Sequence, residues 1–165
     1  MKNTTIDQML GIEYPIIVAP MFLISNTKMI KAALQNGVTA AFPALNYRTD
    51  QELRAAIHEI KSASDKPFGV NLIVNKSNPK YKGQLETLLE LKVAFIITSL
   101  GNPKEVIERC KPLGIKVFCD VVDLTYAKKV EALGADALIA VNNMAGGHAG
   151  NLSPQELIKL LKENC

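Results

Sequence analysis

The chain has 165 residues, 48% apolar and 21% charged, with 19 basic against 16 acidic side chains and a net charge of +3. That apolar share is too high for disorder, and no apolar run approaches the ~18 residues of a membrane helix. The basic residues are scattered, without a Lys/Arg block or interleaved aromatics, so neither nucleic acid nor membrane is an expected partner. Met1 to Leu10 hold no apolar signal core, which makes a cytoplasmic address the default.

Six short apolar segments read as strands: Ile16 to Pro20, Thr39 to Pro43, Phe68 to Ile73, Ala94 to Thr98, Lys116 to Val121 and Ala137 to Val141. Continuous runs of this kind suit parallel strands hidden on both faces by crossover helices. A helix signal follows each strand. Asn26 or Thr27 starts the first helix. Thr49 and Glu52 have capping-box spacing ahead of Leu53, Ala56, Ile57 and Ile60, which recur at helical period. Lys82 to Leu91 reads as the third helix, without an obvious cap. Asn102 caps the fourth, with Pro103 at its first position and Glu105 two further on. Asp123 starts the fifth, and Ser153, Pro154 and Glu156 precede the sixth, whose apolar positions are Leu157, Ile158, Leu160 and Leu161. Gly37, Gly114 and Gly134 end the first, fourth and fifth helices, where a left-handed residue is wanted.

Strand starts at 16, 39, 68, 94, 116 and 137 describe one βα unit every 21 to 29 residues. Such a chain is a single α/β domain over residues 1–165, either a doubly wound open sheet or six of the eight units of a (β/α)8 barrel. The count leaves both open. Cys110, Cys119 and Cys165 are odd in number and lack CxxC or Cys/His metal spacing, so they read as reduced thiols.

The densest special sequence is Met144-Ala145-Gly146-Gly147-His148-Ala149-Gly150, between the sixth strand and the helix begun by Ser153. Adjacent glycines at a strand's carboxyl end let backbone approach a ligand, and the helix start beyond them offers N–H groups to anionic atoms. The plain alternative is a glycine-rich turn with an exposed histidine. Imidazole's intrinsic pKa near ~6.5 suits His148 to proton acceptance, whereas His58, mid-helix among charged residues, reads as solvated surface. Asn71 interrupts the apolar run Val70 to Ile73, and a buried unpaired amide costs ~1–3 kcal/mol, so it must have a partner, ligand or backbone. Ala19-Pro20-Met21 ends the first strand at a residue without an N–H, leaving the backbone beyond free to face the strand-end crevice. Thr98-Ser99-Leu100-Gly101 places two hydroxyls at the same end of the fourth strand. Asp123 reads as a cap, while Asp120 fits either a structural or a site role.

Together these segments resemble the nitronate monooxygenase (2-nitropropane dioxygenase) family. The resemblance rests on Leu10 to Ile17 running into Ala19-Pro20-Met21, then Val70-Asn71-Leu72, Thr98 to Gly101, and Ala145-Gly146-Gly147-His148-Ala149-Gly150, in that order and spacing. It implies an FMN-binding (β/α)8 TIM barrel, here about six βα units of it. Ala19, Pro20 and Met21 would lie against the flavin ring, Asn71 would hydrogen-bond FMN, and Gly146 and Gly147 would line it. His148 would be the catalytic histidine, taking a proton from a nitroalkane or orienting a nitronate. The products would be a carbonyl compound and nitrite, with oxygen as co-substrate. Where family members often carry Gln-Gly-x-Glu before Ala-Gly-Gly-His, this chain has Val141-Asn142-Asn143-Met144, leaving Asn142 or Asn143 to take the place of the flavin-contacting Gln. The 165 residues hold no seventh or eighth strand, whose loops in the family bind the FMN phosphate. An unclosed barrel has open edges, which predict self-association. Relatives on the scaffold include flavin-dependent enoyl-ACP and quinone reductases, so a NAD(P)H reductase is the rival enzyme reading, and a non-catalytic self-associating fragment is the rival outside enzymes.

Overall fold

The computed structural model describes residues 4–165. Its elements run α1 (Ile6–Leu10), β1 (Ile17–Val18), α2 (Thr27–Gln35), β2 (Thr39–Pro43), α3 (Asp50–Ala63), β3 (Gly69–Ile73), α4 (Tyr81–Glu90), β4 (Phe95–Ser99), α5 (Lys104–Cys110), β5 (Lys116–Val121), α6 (Leu124–Ala132), β6 (Ala137–Ala140) and α7 (Pro154–Asn164). All neighbouring strands are parallel, and their order across the sheet is their order in the chain. A doubly wound sheet reverses direction at a switch point. None occurs here, so the architecture is a TIM-barrel-type run of six consecutive units.

The helices begin where side chains can take up free N–H groups. Asn26 accepts from Met29 N–H, Asp123 from Tyr126 N–H, and both Thr49 with Glu52 and Ser153 with Glu156 close capping boxes. α5 departs from expectation: it starts one residue later, because Asn102 turns its oxygen to the Lys104 N–H at 3.2 Å and leaves Pro103 as the flanking residue. β1 is shorter than its apolar run, since Ile16 N–H folds back to Tyr14 O at 2.7 Å and Pro20 has no N–H to give. α1, capped by Thr5 and closed by Gly11 at φ +66°, is the element that the apolar periodicity does not announce. Ser153→Ala removes both the cap and half of the box, and is expected to lower stability by about 1 kcal/mol in denaturant titration.

The two sheet faces bury different sets. On the outer face, Phe42, Val70, Leu72, Ile96, Val117, Cys119 and Val121 meet the helices through Ile30, Leu34, Leu53, Ile57, Leu85, Leu88, Val106, Val130 and Leu157. On the inner face, Ala41, Phe95, Ile97 and Phe118 form a second cluster, joined by Ile17, Ala137 and Ile139 from the strands and by Ile6, Met9 and Leu10 of α1. Those α1 contacts plug the lumen from the amino-terminal end of the strands. The rings of Phe95 and Phe118 stack there at 5.0 Å and 25°. Gly69 makes room for them, because a Cβ at that position would come within 2.1 Å of the Phe95 ring. All three cysteines are free thiols, and burial pushes Cys110 up to about 12.

Candidate active site at the carboxyl ends of the strands

Most candidate residues from the sequence lie beyond a strand's carboxyl end, the face on which barrel enzymes build their sites, and Asn71 is the middle residue of its strand. Ala19, Pro20 and Met21 follow β1, Asn71 is in β3, and Gly146, Gly147 and His148 follow β6. β1 and β6 are opposite edges of the sheet and β3 lies between them. No hydrogen bond joins these three segments to one another among the described residues.

The segment after β1 is more tied down than a free backbone. Ser25, fully buried, accepts from Met21 N–H at 2.9 Å and donates to Ala19 O at 3.0 Å, while its own N–H bonds Met21 O at 2.9 Å. Asn46, beyond β2, accepts from Leu23 N–H and donates to Ser25 O, both at 2.8 Å. The clamp holds Leu23 at φ +60°, a conformation a leucine adopts only when its surroundings impose it. What the segment presents is therefore apolar surface: Met21, Phe22, Leu23 and Ile24 are all exposed. Ser25 and Asn46 escaped the sequence reading, as neither interrupts an apolar run.

In the middle of the sheet three polar side chains form a ladder. Strand alternation sets Asn71, Ser99 and Asp120 on the lumen side, since Val70 and Leu72 face outward, Ile97 precedes Ser99 inward, and Phe118 precedes Asp120 inward. Asn71 Nδ2 donates to Ile97 O at 3.2 Å and to Ser99 Oγ at 2.7 Å. Ser99 Oγ donates to Asp120 Oδ2 at 2.5 Å. A carbonyl can only accept, so Ile97 fixes which end of the Asn71 amide points where, leaving its oxygen as the free group. The partner required of Asn71 is thus protein, supplied by both backbone and side chain. Burial holds the Asp120 carboxyl above the usual carboxylate range, against the Ser99 hydrogen bond, which lowers it. Thr98 points the other way, to Cys119 Sγ and Phe118 O, and belongs to the core.

The loop after β6 is built around Asn142. Its carbonyl accepts from Ala145 N–H at 3.2 Å and Gly150 N–H at 3.1 Å, and its side-chain oxygen accepts from Met144 N–H at 2.9 Å. That oxygen is spent on the loop rather than offered to a ligand. Gly150 is forced by space, because a Cβ would sit 2.3 Å from Val141 O, and Gly147 by conformation, at φ +76°. Gly146 is forced by neither: no atom lies within 4 Å of where its Cβ would be. His148 is exposed. The start of α7 is occupied: Pro154 has no N–H, and Glu156 N–H is taken by Ser153 Oγ at 3.3 Å while its carboxylate lies over the same terminus. This corrects the expectation of an open anion site there.

Known proteins resemble this chain in sequence and in fold. The nitronate monooxygenase family model matches residues 3–82 and 76–164. A hydroxy-methyl-oxo-octahydroindene-carboxyl-CoA dehydrogenase from Mycobacterium tuberculosis is 29% identical over 156 residues, covering 94% of this chain and 43% of that protein. A nitronate monooxygenase from Pseudomonas aeruginosa is 29% identical over 185 residues, covering 90% of this chain and 52% of that protein. Among solved structures, FabK from Thermotoga maritima superposes with a TM-score of 0.90 at 30% identity, covering 100% of this chain and 52% of its own. A nitroalkane oxidase from Streptomyces ansochromogenes superposes with a TM-score of 0.87 at 21% identity, over 98% of this chain and 58% of its own. The chain spans about half the length of these relatives. With both family matches together running from residue 3 to residue 164, the chain belongs to the nitronate monooxygenase family, a family of oxidoreductases.

Proposed function

We propose that this chain carries the strand-end half of an FMN site, and that its function is oxidation of alkyl nitronates or nitroalkanes to a carbonyl compound and nitrite, with oxygen as co-substrate. The observation that supports it most is the placement of apolar Pro20-Met21, the free oxygen of Asn71 and the unhindered Gly146 on one face of a nitronate monooxygenase family barrel. These groups fit a flat, largely uncharged ring that needs an apolar wall, an acceptor and close backbone approach. FMN, when bound, supplies the redox chemistry. The chain's own residues do the rest: Ala19 to Met21 give the ring a wall, Asn71 accepts a hydrogen bond from it, and Gly146 with Gly147 let it come close. His148, with no protein group to satisfy, takes a proton from the carbon beside the nitro group or orients the nitronate.

A second reading, an NAD(P)H-dependent reductase of enoyl thioesters, draws on Val141 in place of the flavin-contacting Gln and on the relative named for a carboxyl-CoA substrate. One experiment separates the readings. The chain is mixed with FMN, passed through size exclusion, and each protein peak is examined for flavin absorbance. Flavin is expected to co-elute with an oligomer in which the outer edges of β1 and β6 are covered. Bleaching by ethylnitronate without oxygen then supports the first reading, bleaching by NAD(P)H the second, and colourless protein in every peak makes these 165 residues by themselves a non-catalytic part of the family's site.

A further inference from the structure

The Asn71–Ser99–Asp120 ladder has a direction, and the direction leaves something over. Ile97 O orients the Asn71 amide, the amide donates to Ser99, and Ser99 donates to Asp120 Oδ2. Each donor of the ladder is used, and Oδ1 of Asp120 is left without a protein partner. No fully buried side-chain oxygen among the described residues lacks a hydrogen bond, so Oδ1 still reaches solvent on the lumen side. No cation pairs with Asp120 among the described residues. A half-buried carboxylate without a counter-charge weakens a fold, and its place beside the apolar lumen residues Phe118 and Ile97 points to a use.

The groups around it are few. Ser99 faces it from β4. On β5 itself the Cys119 thiol lies on the opposite face, and β6 brings only Ala137 to Ala140. From α6 the Tyr126 phenol is turned away to Gly101 O, and both its titration and that of Cys119 feel the Asp120 charge. None of these can supply a positive charge. The ladder also leaves one oxygen free for a proton: Oδ2 is engaged with the Ser99 hydroxyl, and Oδ1 is the oxygen open to the lumen.

We propose that Asp120 is a ligand-contacting acid of this site: protonated, it donates from Oδ1 to a carbonyl oxygen on the ring of the bound flavin, and ionised, it repels that oxygen. This rests on the flavin reading above and adds a proton to it. Ring binding is then coupled to uptake of one proton from solvent, with Asn71 Oδ1 accepting from the ring's N–H beside that carbonyl. Raised by burial, the Asp120 carboxyl places this coupling above the ordinary aspartate range.

The test uses riboflavin, whose ring is neutral from acid to neutral pH and which carries no titrating phosphate. Its fluorescence quenching by the chain is measured from pH 4.5 to 8, with His148→Ala present throughout so that imidazole does not contribute. Affinity is expected to fall at least about tenfold as pH rises, one pKa unit of coupling being a factor of ten. Asp120→Asn, a neutral isostere whose N–H can still donate, is expected to keep the low-pH affinity and lose the pH dependence. Its thermal midpoint at pH 7 should equal or exceed that of the parent. Ser99→Ala removes the hydrogen bond that favours the carboxylate, so the midpoint of the profile should move to higher pH. Riboflavin binding with a flat profile, or a slope that survives Asp120→Asn, overturns the proposal and leaves the flavin reading standing. No riboflavin binding at any pH overturns both.

Discussion

Gly69→Ala is expected to destabilise the chain by about 1–3 kcal/mol, among the largest effects available from adding one methyl group. The cause is local and steric. The new Cβ would lie 2.1 Å from one ring carbon of Phe95 and 2.4 and 2.5 Å from two others, well inside contact distance. Phe95 cannot yield cheaply, because its ring is fully buried and stacked on Phe118, and the lumen around both is filled by Ala41, Ile97 and the side chains of α1. The opposite change makes the same point. Phe95→Ala should cost about 3–5 kcal/mol by leaving a cavity in the lumen. If one steric conflict accounts for the first loss, the pair Gly69→Ala with Phe95→Leu should recover part of it, giving a coupling of the kind seen between residues in contact. Urea titrations of the four proteins measure this; strict additivity would place the Gly69 requirement elsewhere, in backbone conformation.

Much of the architecture was legible in the sequence because outer-face packing and helix capping both leave marks in a single chain. Buried parallel strands give continuous apolar runs, and Thr49, Asp123 and Ser153 sit where free N–H groups need an acceptor. The misplaced start at Asn102 shows the limit: the same side chain can cap a helix or close a turn one residue earlier, and spacing does not say which. Strand order was not legible in the count of units, which fits two windings; the family resemblance implied the barrel, and the hydrogen-bonded neighbours bear that out.

The site was legible as a set of positions and not as a set of bonds. Asn71 and Asp120 stand out because polar residues are uncommon in lumen-facing strand segments, and Ser99 because it ends one. That they touch depends on the register between β3, β4 and β5, which pairs Asn71 with Ile97 and Ile73 with Ser99. The Ser25–Asn46 clamp left no trace, since its partners are all backbone atoms, four and six residues from Ser25 and 21 and 23 residues from Asn46. The loop after β6 shows a third case. Its glycines were visible, but their reasons differ: Gly147 for its dihedral, Gly150 for the Val141 carbonyl, and Gly146 for nothing in the protein itself.

That difference separates the chemistry of the loop from its folding. His148→Ala is expected to lower turnover of a nitroalkane by about 10²–10⁴ in the flavin-loaded protein, the usual worth of a positioned acid or base. The exposed imidazole supports nothing in the fold, so stability should stay within about 0.5 kcal/mol and flavin affinity within about twofold. Gly150→Ala is the counterpart. A Cβ 2.3 Å from Val141 O has no room, and Val141 is anchored by its N–H to Val121 O at 2.9 Å, so the loop rather than the strand must move. The hydrogen bond from Gly150 to Asn142 O is then lost, and with it the closure that holds Gly146 to His148 over the strand ends. Flavin affinity and turnover should both fall, by about tenfold or more. Flavin absorbance titration and steady-state rates on the two variants decide between the roles. Unchanged turnover in His148→Ala would remove the histidine from the chemistry, and equal loss of flavin in both variants would make it a lining residue of the loop.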